Sequence, residues 1–153
     1  VSGNEQLESN YVGDFDVTFF KKNLVVIEIS GYDYPFGAAH GMPVKKYAHI
    51  DVLSGQFYHL KDLFKQESDY VKFLSGIIAE KIKNDSTYSY LFPAGYKGIS
   101  PNQPFFITSN ALNLYFAPYE IAPYAAGFPT FTIPFEEIKD IIDANGSFWK
   151  SFH

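Results

Sequence analysis

Two runs near the start of the chain alternate apolar and polar residues with a period of two. In Asp14–Phe20, DFDVTFF, the alternation sets Phe15, Val17 and Phe19 on one face. In Leu24–Ser30, LVVIEIS, it sets Val25, Ile27 and Ile29 on one side. Only the tight turn Lys21-Lys22-Asn23 separates them, so they read as a β-hairpin. Lys45–Leu53 alternates again and turns through Ser54-Gly55-Gln56 into Phe57–Leu60. A third hairpin is expected from Phe105–Thr108 and Leu112–Phe116 around Ser109-Asn110-Ala111. Helical periodicity dominates one segment, where Tyr70, Val71, Leu74, Ile77, Ile78 and Ile82 form a stripe. Ser68 is its expected N-cap, and Asn84-Asp85 its end. A short helix is expected over TIPFEEIKDII, capped by Thr132 or Ile133, with Pro134 near its first position. The closing NGSFWKSFH reads as a tail or final strand. Hairpins followed by helices, without regular strand–helix alternation, predict an α+β fold. In it, an antiparallel sheet carries one main helix and one short C-terminal helix on one face.

Composition supports strands over a bundle. Aromatics make up 19% of the 153 residues, and there is one methionine. One domain over 1–153 is the expectation at this length, with residues 1–13 read as the end of a preceding segment. The chain has no cysteine, which removes thiol catalysis and thiolate metal sites. Its net charge is −5 and it shows no basic stripe, which argues against nucleic acid and favours a cationic partner. No run approaches the apolar length of a membrane span, so no membrane contact is expected of this fragment.

The histidines offer little chemistry. His49 and Asp51 share a strand face, and His59 meets them only if the hairpin loop has three residues, Leu53-Ser54-Gly55; a two-residue loop puts it on the other face. Even then too few ligands converge for zinc, so no metal or other cofactor is expected. A lone Glu120 is more often an acceptor for loop N–H groups than half of a catalytic pair. The glycine-rich Gly37–Gly41 lacks the lysine and the setting of a phosphate loop; Gly37 and Gly41 read as positive-φ turn positions.

The segment Phe116–Phe135, FAPYEIAPYAAGFPTFTIPF, is different. It holds six aromatic rings and four of the nine prolines. Proline lowers the cost of ordering a loop, and a pre-ordered loop bearing tyrosines suits partner recognition. Packing of most of these rings on the sheet is the plainer expectation.

Three motifs stand in order: Gly37-Ala-Ala-His40-Gly41; Asp51-x-x-x-Gly55 with Leu60-x-Asp-Leu-Phe64; and Tyr119-Glu-Ile-x-Pro-Tyr-Ala-x-Gly127. From about Phe15 to Ile142 the chain resembles the extracytoplasmic C-terminal domain of RsiV-type anti-sigma factors. A similar domain stands beside the catalytic domain of PdaC-type peptidoglycan N-deacetylases. The family loop usually reads Gly-Gly-Ala-His-Gly, and here the second glycine is Ala38. The resemblance implies an extracytoplasmic binding or sensor domain of a Gram-positive cell-envelope protein, monomeric and not an enzyme by itself. It implies lysozyme as a protein partner; the alternative is peptidoglycan, bound by an accessory domain of a deacetylase. On this reading Tyr34, Tyr119, Glu120, Pro123, Tyr124 and Phe128 are the expected binding residues. Gly37, His40, Gly41 and Gly127 are expected to shape the loops.

Overall fold

The computed structural model describes residues 10–34 and 41–153; of 10–12 and 34 only the backbone is described. Among the described residues, seven strands form two antiparallel sheets. The first has the order β1 (Asn10–Lys21), β2 (Leu24–Tyr34), β3 (Met42–Asp51), β4 (Phe57–Tyr58). The second has the order β5 (Phe105–Ile107), β6 (Ala111–Tyr115), β7 (Thr130–Pro134). Between them in sequence lies the long helix α1 (Tyr70–Asn84), and the chain closes on the short helix α2 (Ser147–Ser151). The α+β class, the three hairpins and the main helix follow the expectation from the sequence.

The inner face of the first sheet is apolar where it meets the core. Phe19, Val26, His49 and Tyr58 form one cross-strand row. Phe105 of β5 stacks on His49 at 4.3 Å between ring centroids, and Phe106 stacks on Tyr47 at 4.5 Å. β6 is buried along its whole length, as a central strand covered on both faces must be. Leu112, Leu114, Phe131 and Ile133 of the second sheet share one core cluster with Leu74 and Ile78 of α1. Phe148 of α2 and Phe152, the residue that closes the helix, complete it, both fully buried.

Five local expectations are corrected. Phe19 does not share a face with Phe15 and Val17: a β-bulge between Val17 and Phe19 inserts Thr18 and turns Phe19 inward onto Val26. The β3–β4 loop has four residues, Val52–Gly55, because the Asp51 N–H donates to the Gln56 carbonyl. His49 therefore pairs with Tyr58, and His59 lies beyond β4, exposed and 3.6 Å from Asp62. Asp69, not Ser68, caps α1, accepting from the Lys72 N–H at 3.2 Å. The helix expected over 132–142 shrinks to a 3-10 turn, Phe135–Ile138, after β7. Its continuation is diverted into backbone pairing: Lys65 N–H donates to the Ile141 carbonyl and Asp143 N–H to that of Leu63. The short C-terminal helix forms instead in the stretch read as tail or strand.

Candidate functional site

The proline-rich segment leaves β6 at Phe116, returns at Pro129 and is closed by the Phe116 N–H donating to the Pro129 carbonyl at 2.9 Å. Both ends sit in the core: Phe116 is buried against Phe131, edge to face at 5.9 Å. In the middle, Ile121 and Ala122 are also buried, and the Ile121 carbonyl accepts from the Phe92 N–H at 2.8 Å. The loop is thus held at three places, and the residues between them project outward.

Tyr119 is the most outward ring of the loop, 54% exposed. Its φ is +70°, left-handed backbone that costs a non-glycine residue of order 1 kcal/mol. The neighbouring turn, with Glu120 N–H on the Ala117 carbonyl, and the buried Ile121 hold it there. Its ring lies 5.4 Å from that of Tyr124. Tyr124 is half-buried, and its hydroxyl donates to the Gly41 carbonyl at 3.4 Å. That bond places the 117–128 loop beside the start of β3. Glu120 and Pro123 are exposed on either side of Ile121–Ala122.

Gly127 ends the loop at φ +67° and ψ −124°, a combination open essentially to glycine alone. Open space surrounds the position of an added Cβ, so backbone strain is the obstacle there. Gly127→Ala is expected to lower unfolding stability by about 1–3 kcal/mol, read from the urea midpoint. Phe128 then turns back toward the first sheet. Its ring meets Tyr115 edge to face at 6.2 Å and carries the Lys45 ammonium 5.0 Å from its centroid. A depression of about 440 Å³ opens beside it, lined among others by Asp14, Ser30, Tyr32 and Lys45.

Behind this edge stands a tyrosine layer. The Tyr47 hydroxyl donates to Glu28 Oε2 at 2.6 Å, and that of Tyr115 to the Lys45 carbonyl at 3.1 Å. Burial, followed by the Glu28 charge, pushes the Tyr115 phenol up to about 12; burial and the Glu28 hydrogen bond push Tyr47 higher still. Both remain neutral donors at any physiological pH, and the surface they support offers rings and hydrogen bonds.

Of the residues expected from the sequence, Tyr119, Glu120, Pro123, Tyr124, Gly127 and Phe128 lie on this one loop, and Gly41 is bonded to it through Tyr124. Gly37 and His40, and the side chain of Tyr34, lie outside the described residues. Nothing in the sequence distinguishes Lys45, Tyr47 and Tyr115. They look like ordinary strand residues there, and only tertiary contact makes them part of the edge.

The other motifs have structural roles. Asp51 Oδ1 accepts from the N–H groups of Leu53 and Ser54, and Oδ2 from the Tyr58 hydroxyl. Burial works against the carboxylate, but these bonds outweigh it and hold Asp51 below the usual range. Gly55 takes the left-handed position that ends the loop, at φ +74°. Asp62 accepts from the His59 N–H, and Leu60, Leu63 and Phe64 enter the core.

Fold and loop together define an α+β domain of two hairpin-built sheets around one long helix, with a braced aromatic loop at one edge. Solved structures of the same fold include two DUF3298-family proteins. A DUF3298-family protein of Bacteroides fragilis superposes with a TM-score of 0.73 at 21% identity, over 90% of this chain and 55% of that one. Another, from Pseudomonas aeruginosa, gives 0.66 at 23% identity, over 90% and 63%. Residues 61–136 match the family model DUF3298, described as a protein of unknown function. The chain is 29% identical over 133 residues to the peptidoglycan-N-acetylmuramic acid deacetylase PdaC of Bacillus subtilis. It is 29% identical over 136 residues to the anti-sigma-V factor RsiV of the same organism. It spans 28% of the first and 44% of the second, so the shared part is less than half of either relative. Among the described residues no helix is long and apolar enough to cross a membrane.

Proposed function

We propose that this chain is a non-catalytic extracytoplasmic binding domain of a cell-envelope protein, and that the 117–128 loop is its recognition edge. The observation that carries the reading is the loop itself. It is tied to the core at Phe116, Ile121 and Pro129, yet holds Tyr119 outward in a backbone conformation unfavourable to tyrosine. Strain of this kind, kept at an exposed aromatic, is characteristic of binding surfaces. Pre-ordering means that little entropy is lost on docking, and tyrosine is a preferred anchor in protein interfaces.

The similarity to an anti-sigma factor and the net charge of −5 favour a basic protein, with lysozyme as the specific candidate. In this account Tyr119, Tyr124 and Phe128 supply apolar contact, with Pro123 beside them, and Glu120 supplies a charged contact. Titration of the folded domain with lysozyme at low and moderate salt tests it. Binding that weakens with salt is expected, and Tyr119→Ala should weaken it at least tenfold without changing the thermal midpoint by more than a degree or two. Absence of binding at both salts would remove lysozyme. Retention on purified peptidoglycan, insensitive to salt and lost in Tyr124→Ala, would instead support the glycan-binding accessory role suggested by the deacetylase relative.

A further inference from the structure

The first sheet ends on β1, a strand of 12 residues, and among the described residues nothing pairs with its outer edge. A free edge presents unpaired backbone donors and acceptors to any extended chain. Two side-chain patterns flank it. On the outer face, Phe15 and Val17 are 74% and 58% exposed. They continue inward through Ile29 and Ile27 of the neighbouring strand, and Phe20 and Phe57 are exposed on the same face. On the inner face, Asp14 and Asp16 alternate with them, and Asp16 stands directly opposite Glu28.

Directly opposed like charges destabilise a strand pair. Among the described residues the ion pairs are His59–Asp62, Lys81–Glu137 and Lys139–Glu136, so Asp14, Asp16 and Glu28 have no cationic side chain paired with them. Among the described residues Glu28 accepts from the neutral Tyr47 hydroxyl. Asp14 Oδ1 accepts from the Phe15 N–H at 2.8 Å. Carboxylates and the bulge at Thr18 deter pairing with another copy. In registers that join the middles of two β1 strands with their apolar faces together, Asp14 or Asp16 falls opposite an aspartate. The same carboxylates favour a strand that brings cations.

We propose that the free edge of β1 is a strand-addition site for an extended peptide segment of a protein partner, with alternating cationic and apolar side chains. Its backbone pairs with residues 13–17. Its apolar residues extend the Phe15–Val17 row, and its lysines or arginines neutralise Asp14, Asp16 and Glu28. The site is read with its own probe, so it stands whether or not the 117–128 loop binds lysozyme.

The probe is the blocked hexapeptide Lys-Val-Lys-Val-Lys-Val, titrated into the full chain and followed by amide chemical shifts. The largest shifts are expected at residues 13–17. Binding should weaken at least tenfold when every peptide amide is N-methylated, when the lysines are replaced by glutamates, and in Asp16→Lys. That variant sets a lysine opposite Glu28 and so relieves a repulsion in the free domain; an unchanged amide dispersion shows that it is folded. Equal affinity for the N-methylated peptide, or for the Asp16→Lys variant, would overturn the proposal, since it would reduce the contact to charge alone or place it elsewhere. A concentration-dependent dimer protecting the β1 amides would also overturn it, by assigning the edge to a second copy.

Discussion

Between pH 7 and pH 4 the domain should lose about 3 kcal/mol of unfolding stability through one side chain, His49. His49 is 1% exposed, stacked on Phe105 and against Phe148. The Ile107 N–H donates to its Nε2 at 3.2 Å, so Nε2 carries no proton and the ring proton sits on Nδ1. That Nδ1 is buried and without a partner among the described residues. Burial lowers the folded pKa from the ordinary 6.5 to about 3. A cation here would lose its hydration, and a proton on Nε2 would point at the Ile107 N–H. The native state therefore refuses a proton that the unfolded chain takes up below pH 6.5.

The sign follows from linkage. Stability from His49 is complete above pH 6.5, falls by about 1.4 kcal/mol per pH unit below it, and levels off near pH 3. Asp51 adds a separate loss at lower pH, because its folded pKa is depressed and its contribution is lost only as the carboxylate protonates. Urea unfolding at pH 7, 5.5 and 4 reads the His49 loss before most of the Asp51 loss begins. His49→Gln keeps an acceptor for Ile107 and removes the titration, so its stability should be nearly flat from pH 6.5 to 4.5. An unchanged slope in that variant would show that the histidine is not the source.

Phe148→Ala is expected to cost about 4 kcal/mol, a large part of what a domain of this size has. Phe148 is fully buried. It stacks on Tyr58 at 4.7 Å and reaches His49, Phe105 and Phe152. It thereby joins α2 to both sheets, and its removal leaves a cavity under each of them. A urea midpoint shift under 1 kcal/mol would show that the C-terminal helix is peripheral.

This residue also marks where the sequence stops being legible. NGSFWKSFH is too short for a helical stripe to show, and its helix exists because Phe148 and Phe152 have a core to enter. The period-two strands and the 3.6-period stripe of α1 are carried by local pattern alone, and they stand where pattern puts them. The bulge at Thr18, the four-residue loop after Asp51 and the diversion of Lys139–Asp143 into pairing with the 63–65 segment depend on contacts between distant residues. No local periodicity encodes them. The candidate site divides in the same way. Its loop announces itself by its prolines and tyrosines, whereas Lys45, Tyr47 and Tyr115 belong to it only through the way the two sheets meet. Tyr119 was legible as a residue type, and its left-handed backbone was not.

If the braced 117–128 loop is a recognition edge, a bound partner must perturb it first. Amide chemical-shift mapping of the folded chain during titration with lysozyme at low salt tests it most directly. The largest perturbations are expected at residues 117–128 and at 41–45, attenuated together in Tyr119→Ala. Perturbations confined to other surfaces, or saturable binding that Tyr119→Ala leaves unchanged, would contradict it.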